Sequence, residues 1–184
     1  MFSRVLAFLI VFPLTPLLVS ITILILISDG FPIIFKQKRV GLNNSFFYIY
    51  KFRTMKNNTP NIATHLLKNP EKHVLIFGKL LRSLSLDELP NLINIIKGDI
   101  VFVGPRPALS NQDDLIQLRI DNGIDKLKPG VTGWAQINGR DNISMKKKVE
   151  LEKYYLRKKS VLFDTKIIIL TFLKLFFIKN DITH

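Results

Sequence analysis

Residues 5–28, VLAFLIVFPLTPLLVSITILILIS, carry no charged side chain. No other stretch limits the fold of this chain as strongly. As a straight α-helix the run reaches about 36 Å, and a bilayer's hydrocarbon core is about 30 Å thick. Pro13 and Pro16 sit near its middle. Each removes an amide hydrogen bond and bends a helix. The run is longer than the apolar part of a signal peptide, and no A-x-A cleavage pattern follows it. Two arrangements stay open: a kinked helix that spans, and a re-entrant hairpin whose arms enter and leave by the same face. Both flanks are basic, Arg4 on one side and Lys36, Lys38 and Arg39 on the other. The positive-inside rule then favours both ends on the cytoplasmic side. Asp29-Gly30-Phe31-Pro32 closes the segment with charge and chain punctuation.

The rest of the chain is basic. Lys and Arg number 27 against 14 Asp and Glu in 184 residues, a net charge of +13. That excess points to an anionic partner: a phosphorylated substrate, anionic lipid headgroups or nucleic acid. Mean hydropathy is +0.21, which suits a protein sitting on a membrane better than a soluble nucleic-acid binder. The absence of cysteine excludes a disulfide framework, thiolate metal sites and a thiol nucleophile. The length suits one domain with one core, and no internal repeat or low-complexity tract interrupts it.

Chemistry concentrates at 82–107, RSLSLDELPNLINIIKGDIVFVGPRP. Adjacent acids, Asp87 and Glu88, are bracketed by Arg82 before and by Lys97 and Arg106 after. A carboxylate pair in a basic surround can handle phosphate esters. It can also be an ordinary cap in the first turn of a helix. Leu86, Leu89, Leu92 and Ile96 recur at helical spacing, and Lys97-Gly98 is a stop signal. Ser85-x-x-Glu88 fits a capping box, but Pro90 would then lie inside the helix; with Asp87 as N-cap, Pro90 is tolerated. Both registers stay open. In either, free amides at the helix start are expected to keep Asp87 ionised and to offer donors to a phosphate.

Around this stretch, Lys36 to Lys56 holds six Lys or Arg and no acid. Phe46 to Phe52 reads as a strand, preceded by a turn at 41–44. Lys51 and Arg53 alternate with Phe52 and are expected on one face, as a solvated basic face or as a diphosphate clamp. Residues 57–72 read as a loop with a short helix at 62–67. His65, His73 and His184 lack metal-ligand spacing. Val74 to Leu84 reads as a short helix, Asp99 to Val103 as a strand, and Gly104-Pro-Arg-Pro107 as a rigid turn aiming Arg106. Residues 111–128 are a polar helix or loop, with Asp113 and Asp114 solvated. Pro129 to Gly133 reads as a glycine-punctuated turn. Trp134 to Arg140, WAQINGR, is dense in donors, among them Gln136 and Arg140. Ser144 to Ser160 reads as a basic helix. Val161 to Ile178 is apolar but carries Asp164, Lys166 and Lys174, so an amphipathic helix in the membrane interface costs less than a span.

LRSLSLDELPNL, then KGDIVFVGPRP, then PGVTGWAQINGR resemble the small monotopic phosphoglycosyl transferases, the bacterial sugar transferase family. The resemblance runs essentially end to end, from the N-terminal segment through YKFRTM to the last helix. It implies a helix-rich α/β fold with a re-entrant membrane helix over 1–30 and a catalytic domain over 31–184, bearing short strands and interfacial helices. It implies transfer of a sugar-1-phosphate from a UDP-sugar to polyprenyl (undecaprenyl) phosphate, giving polyprenyl-diphosphate-sugar and UMP. By the same match Asp87 is the nucleophile and Glu88 the Mg²⁺-binding glutamate. Lys51, Arg53, Arg82, Arg106, Gln136 and Arg140 are candidates to bind the donor's phosphates and nucleotide. Thr15-Pro16 matches the family's Ser-Pro helix break, with Pro13 as an additional proline. Glu152 stands where the family carries aspartate. The setting implied is the cytoplasmic face of a bacterial inner membrane, on anionic phospholipid, with no nucleic-acid partner and with glycosyltransferases downstream. The competing expectation is a non-catalytic membrane-anchored protein that binds anionic lipid or nucleic acid.

Overall fold

The computed structural model of the chain describes residues 2–59, 69–139 and 142–177. Arg140, the short helix expected at 62–67, His65 and His184 lie outside the described residues. The apolar run forms one helix, α1 (Phe2–Asp29), whose helical assignment continues through Pro13 and Pro16. Hydroxyls bond back beside the missing proline amides. Thr15 Oγ1 donates to Val11 O at 3.1 Å and Ser20 Oγ to Pro16 O at 2.9 Å, a pattern that accompanies bent helices.

Both halves of α1 lie against the same body. Ala7, flanked by Ile10, Val11 and Leu14, packs with Leu92, Ile95 and Ile100. Ile21 and Ile25 pack with Phe52, Leu75 and Leu81. The two ends are tied as well. The Arg4 guanidinium fills the space over Gly98, where a β-carbon would collide with it. Asp29 pairs with Arg53. The outer face of α1, with Phe8, Phe12, Ile23 and Ile27, stays exposed.

Strands β1 (Ile34–Val40) and β2 (Phe46–Phe52) form an antiparallel hairpin, Ile34 opposite Phe52 and Val40 opposite Phe46. The turn between them places Asn43 and Asn44 at φ 50° and 59°, a region asparagine tolerates. β2 and its turn match expectation. β1 is unexpected, because Lys36, Lys38 and Arg39 read only as the basic flank of the apolar run. Then follow α2 (Gly78–Ser83), a 3-10 turn at Leu86–Glu88, α3 (Asn91–Lys97), β3 (Val101–Val103), α4 (Asp113–Asp121), β4 (Gly130–Thr132), the one-turn α5 (Trp134–Ile137), α6 (Met145–Lys158) and α7 (Val161–Phe177). The helix expected from Val74 is thus shorter at its start.

The glycine-punctuated segment at 129–133 is a strand rather than a turn. β4 pairs in parallel with β3, Val101 opposite Gly130 and Val103 opposite Thr132. A β-carbon on Gly130 would sit 2.1 Å from the Gly104 amide nitrogen, so its glycines allow close backbone approach rather than chain reversal.

Ser144 caps α6, accepting from the Lys147 amide at 3.3 Å. Trp134 is a half-buried anchor, its ring 5.0 Å from Phe163 and 5.9 Å from Tyr154. Two of the charges in α7 are satisfied by protein. Asp164 accepts from the Tyr155 hydroxyl at 2.7 Å, and Lys174 Nζ donates to Ile137 O. Burial and then Asp164 push the Tyr155 hydroxyl well above the ordinary tyrosine range. α7 buries Ile167 and leaves Val161, Leu162, Ile169 and Phe172 outward. The whole is a helix-rich α/β fold with short strands and one long apolar N-terminal helix.

Candidate active site

The acid pair sits in its own 3-10 turn, Leu86–Glu88, ahead of α3. Neither expected capping register occurs. Ser85 is left-handed at φ 55° and makes no side-chain cap bond, while α3 begins at Asn91 with Pro90 at its N-cap. Placing the helix after Pro90 removes the conflict that the Ser85 register had with it. The amides of Glu88 and Leu89 bond to Ser85 O and Leu86 O, each at 3.2 Å. They are therefore not the free donors expected for a phosphate. Leu86 and Leu89 pack on the cluster of Ile21, Ile25, Phe52, Leu75 and Leu81, so the turn rests on the core that α1 shares with β2 and α2. The stop at Lys97-Gly98 is as expected, with Gly98 left-handed at φ 88°.

Docking of α3 on β2 brings the first cation to the acids. Asn94 is fully buried between them. Its Oδ1 accepts from the Tyr50 amide at 3.1 Å, and its Nδ2 donates to Tyr48 O at 2.7 Å and to Asp99 Oδ2 at 3.0 Å. With strand and helix so fixed, Lys51 Nζ lies 2.6 Å from Glu88 Oε1. Asp87 forms no ion pair of its own among the described residues. Burial pushes its carboxyl above the ordinary aspartate range; Lys51 and Arg82 pull it down through space and Glu88 pushes it up. A backbone amide, that of Asp87 itself, still pulls the carboxyl down, but burial acting the other way outweighs it. Arg82 is held by Thr54, Nε to Oγ1 at 2.7 Å, and burial lowers its guanidinium against the pull of Asp87.

A cleft beside the pair is lined by Arg39, Lys51, Glu88, Asn91, Arg106 and Pro107. The turn carrying Arg106 is clamped through its carbonyls. Arg39 Nη1 donates to Pro107 O at 3.0 Å, and Arg119 Nη2 to Arg106 O at 2.9 Å. Of the expected cations, Lys51 and Arg82 act on Asp87, and Lys51 and Arg106 line the cleft with Glu88. Arg53 does not. It lies one residue beyond β2 and turns to the end of α1, where it pairs with Asp29 and donates to Pro32 O at 2.5 Å and Gly30 O at 2.6 Å. Lys97 turns to the Tyr50 hydroxyl at 3.0 Å. Gln136 lies on α5, donating to Val131 O at 2.9 Å. Arg39, Asn91, Asn94 and Arg119 escaped sequence reasoning. The signal available for Asn91 and Asn94 was two polar residues inside an otherwise apolar helix pattern; for Arg39 and Arg119 no local signal existed.

The oxygen donors here suit a hard cation such as Mg²⁺, which binds through one or two carboxylates plus substrate phosphates. No group of three or more His, Cys, Asp or Glu able to hold a metal occurs among the described residues. Glu88 therefore fits Mg²⁺ as a partial seat that a diphosphate completes. Two acids ringed by cations can place a carboxylate against a phosphorus atom while neutralising the charge around it.

A family model described as bacterial sugar transferase matches residues 1–178. The chain is 42% identical over 160 residues to an uncharacterised sugar transferase of Bacillus subtilis (strain 168), covering 85% of this chain and 77% of that protein. It is 40% identical over 179 residues to a UDP-glucose:undecaprenyl-phosphate glucose-1-phosphate transferase of Escherichia coli (strain K12), covering 92% of this chain and 38% of that protein. A UDP-N-acetylgalactosamine-undecaprenyl-phosphate N-acetylgalactosaminephosphotransferase of Aeromonas hydrophila is 34% identical over 173 residues, 91% of this chain and 41% of that protein. The chain thus spans only 38% and 41% of the length of the last two relatives.

Proposed function

The chain belongs to the bacterial sugar transferase family and is a phosphoglycosyl transferase, and from that premise we propose that it moves a sugar-1-phosphate from a UDP-sugar to a polyprenyl phosphate. Undecaprenyl phosphate is the acceptor in the names of two relatives. The reading is carried by the turn at Leu86–Glu88, where Asp87 has no direct cation partner among the described residues while Glu88 beside it is paired to Lys51.

In this reading an Asp87 carboxylate oxygen attacks the phosphorus that bears the sugar. A phosphorus–oxygen bond to Asp87 forms as the bond to UMP breaks, and the electron pair leaves on UMP. An oxygen of the polyprenyl phosphate then attacks the same phosphorus. The aspartyl bond breaks, Asp87 returns as carboxylate, and polyprenyl-diphosphate-sugar is released. Such two-step covalent transfer divides one difficult displacement into two. Lys51, Arg82 and Arg106 offset the charge of donor and nucleophile. Mg²⁺, held by Glu88 and the donor's diphosphate, would supply further neutralisation and Lewis acidity.

We place α1 as a re-entrant membrane helix over 1–30 bent at Pro13 and Thr15-Pro16, and residues 31–184 as a catalytic domain on the cytoplasmic face of a bacterial inner membrane. Support comes from α1 touching the charged body at both ends and along both halves. Spanning the bilayer in this pose would carry that body into lipid. The outward apolar faces of α1 and α7 and the net charge of +13 suit anionic phospholipid. The product would be the first membrane-bound intermediate of polysaccharide assembly and would pass to glycosyltransferases.

The test is incubation of the protein with labelled UDP-sugar and no acceptor. Label on Asp87 with matching UMP release is expected, and none with Asp87→Asn. Absence of labelled Asp87 under conditions that support turnover with acceptor would sink the covalent route.

A further inference from the structure

We infer that Asn91 supplies an oxygen ligand, beside Glu88, to a divalent cation in the cleft; this rests on the metal-binding role proposed above for Glu88. Asn91 is 3% exposed, and its Oδ1 has no hydrogen-bond partner among the described residues. Buried acceptors left in this state call for an explanation. Asn91 lines the same cleft as Lys51, Glu88 and Arg106. Pro90 at φ −61° and the start of α3 fix its backbone three residues beyond Glu88.

The surroundings narrow what that oxygen meets. A carbonyl oxygen is an acceptor only, so it cannot serve the donor's phosphate oxygens, which the neighbouring cations attract. Lys51, the ammonium lining the cleft, is engaged by Glu88 at 2.6 Å, and the Arg39 and Arg106 guanidiniums that line it too make no hydrogen bond to Asn91 Oδ1. A hard cation is a partner that a carboxylate and a neutral amide oxygen can share, and asparagine carbonyls are ordinary ligands of such ions. With Asp87 assigned to phosphorus, and no three-membered cluster of His, Cys, Asp or Glu among the described residues, any protein oxygen that joins Glu88 and the diphosphate around the cation comes from another residue type. Asn91 provides it.

The test uses Mn²⁺ as probe, titrated into the full chain with UDP supplying the diphosphate and read as the change in EPR signal beyond a protein-free Mn²⁺–UDP control, with Mg²⁺ as competitor. Asn91→Leu is expected to weaken Mn²⁺ binding by about 10-fold. Asn91→Asp, which keeps an oxygen at that position, is expected to bind at least as well as the parent. Glu88→Gln is expected to lose at least as much as Asn91→Leu. Parent-like binding by Asn91→Leu together with impaired Glu88→Gln overturns this inference and leaves the metal-binding role of Glu88 intact. A parent chain that binds no Mn²⁺, or a Glu88→Gln variant that binds normally, removes that role and the inference with it. Thermal melting without metal checks folding; if Asn91→Leu fails to fold, Asn91→Ala carries the same comparison.

Discussion

Arg119 on α4 and Glu152 on α6 form a buried two-pronged ion pair, Nε to Oε2 at 2.8 Å and Nη2 to Oε1 at 2.5 Å. The same Nη2 reaches Arg106 O at 2.9 Å. Glu152 thus acts on the cleft only through Arg119. Glu152→Ala leaves a buried guanidinium unpaired and is expected to cost about 3–5 kcal/mol in denaturant unfolding. Replacing both residues with leucine is expected to recover most of that stability while the donor KM stays raised, because the Arg106 carbonyl has lost its clamp. A double variant with normal donor KM would reduce the pair to a packing role.

Lys51 and Arg53 are two residues apart and have separate roles. Lys51→Met should fold normally and lose about 100-fold in kcat/KM, the scale seen when one donor to a developing charge is removed. Arg53→Met should instead destabilise, since it abandons Asp29 and the carbonyls of Gly30 and Pro32. Its folded fraction at low temperature should keep near-parent kcat/KM. The comparison is made by steady-state UMP release alongside a melting curve.

The raised Asp87 carboxyl makes two pH predictions. The nucleophile must be ionised, so the acid limb of kcat/KM against pH should lie above the ordinary aspartate value of about 3.9. Lys51→Ala should move it higher, because Lys51 pulls that carboxyl down.

The second concerns stability. A carboxyl raised in the folded state makes its ionisation unfavourable for folding, a cost absent below the unfolded pKa and fully present above the folded one. Asp87→Asn should therefore melt higher than the parent at neutral pH, with the difference vanishing below about pH 4. Equal melting at neutral pH would mean the carboxylate is better solvated than its burial implies.

The chain has no cysteine, so single-cysteine labelling can test topology. A cysteine at Ser3 and another at Thr59 should both resist an impermeant thiol reagent added to intact cells and both react in inverted vesicles. Labelling of the Ser3 position from outside would establish a spanning α1.

Local pattern alone reached a large part of the protein. The uncharged run specified α1, alternation specified β2, Ser144 and the basic run specified α6, and Lys97-Gly98 marked the end of α3. These depend on neighbours within a turn or two, where spacing carries the physics. Motif likeness reached the family and the acid pair. Beyond that range the sequence was mute. Lys51 meets Glu88 across 37 positions because Asn94 docks α3 on β2, whereas Arg53 escapes the same alternation because β2 ends at Phe52. The glycines of β4 serve a parallel partner nearly thirty residues away, and Glu152 answers Arg119 at a separation of 33. Which charge faces which was decided only when strands and helices packed, since docking sets distances that no local spacing encodes.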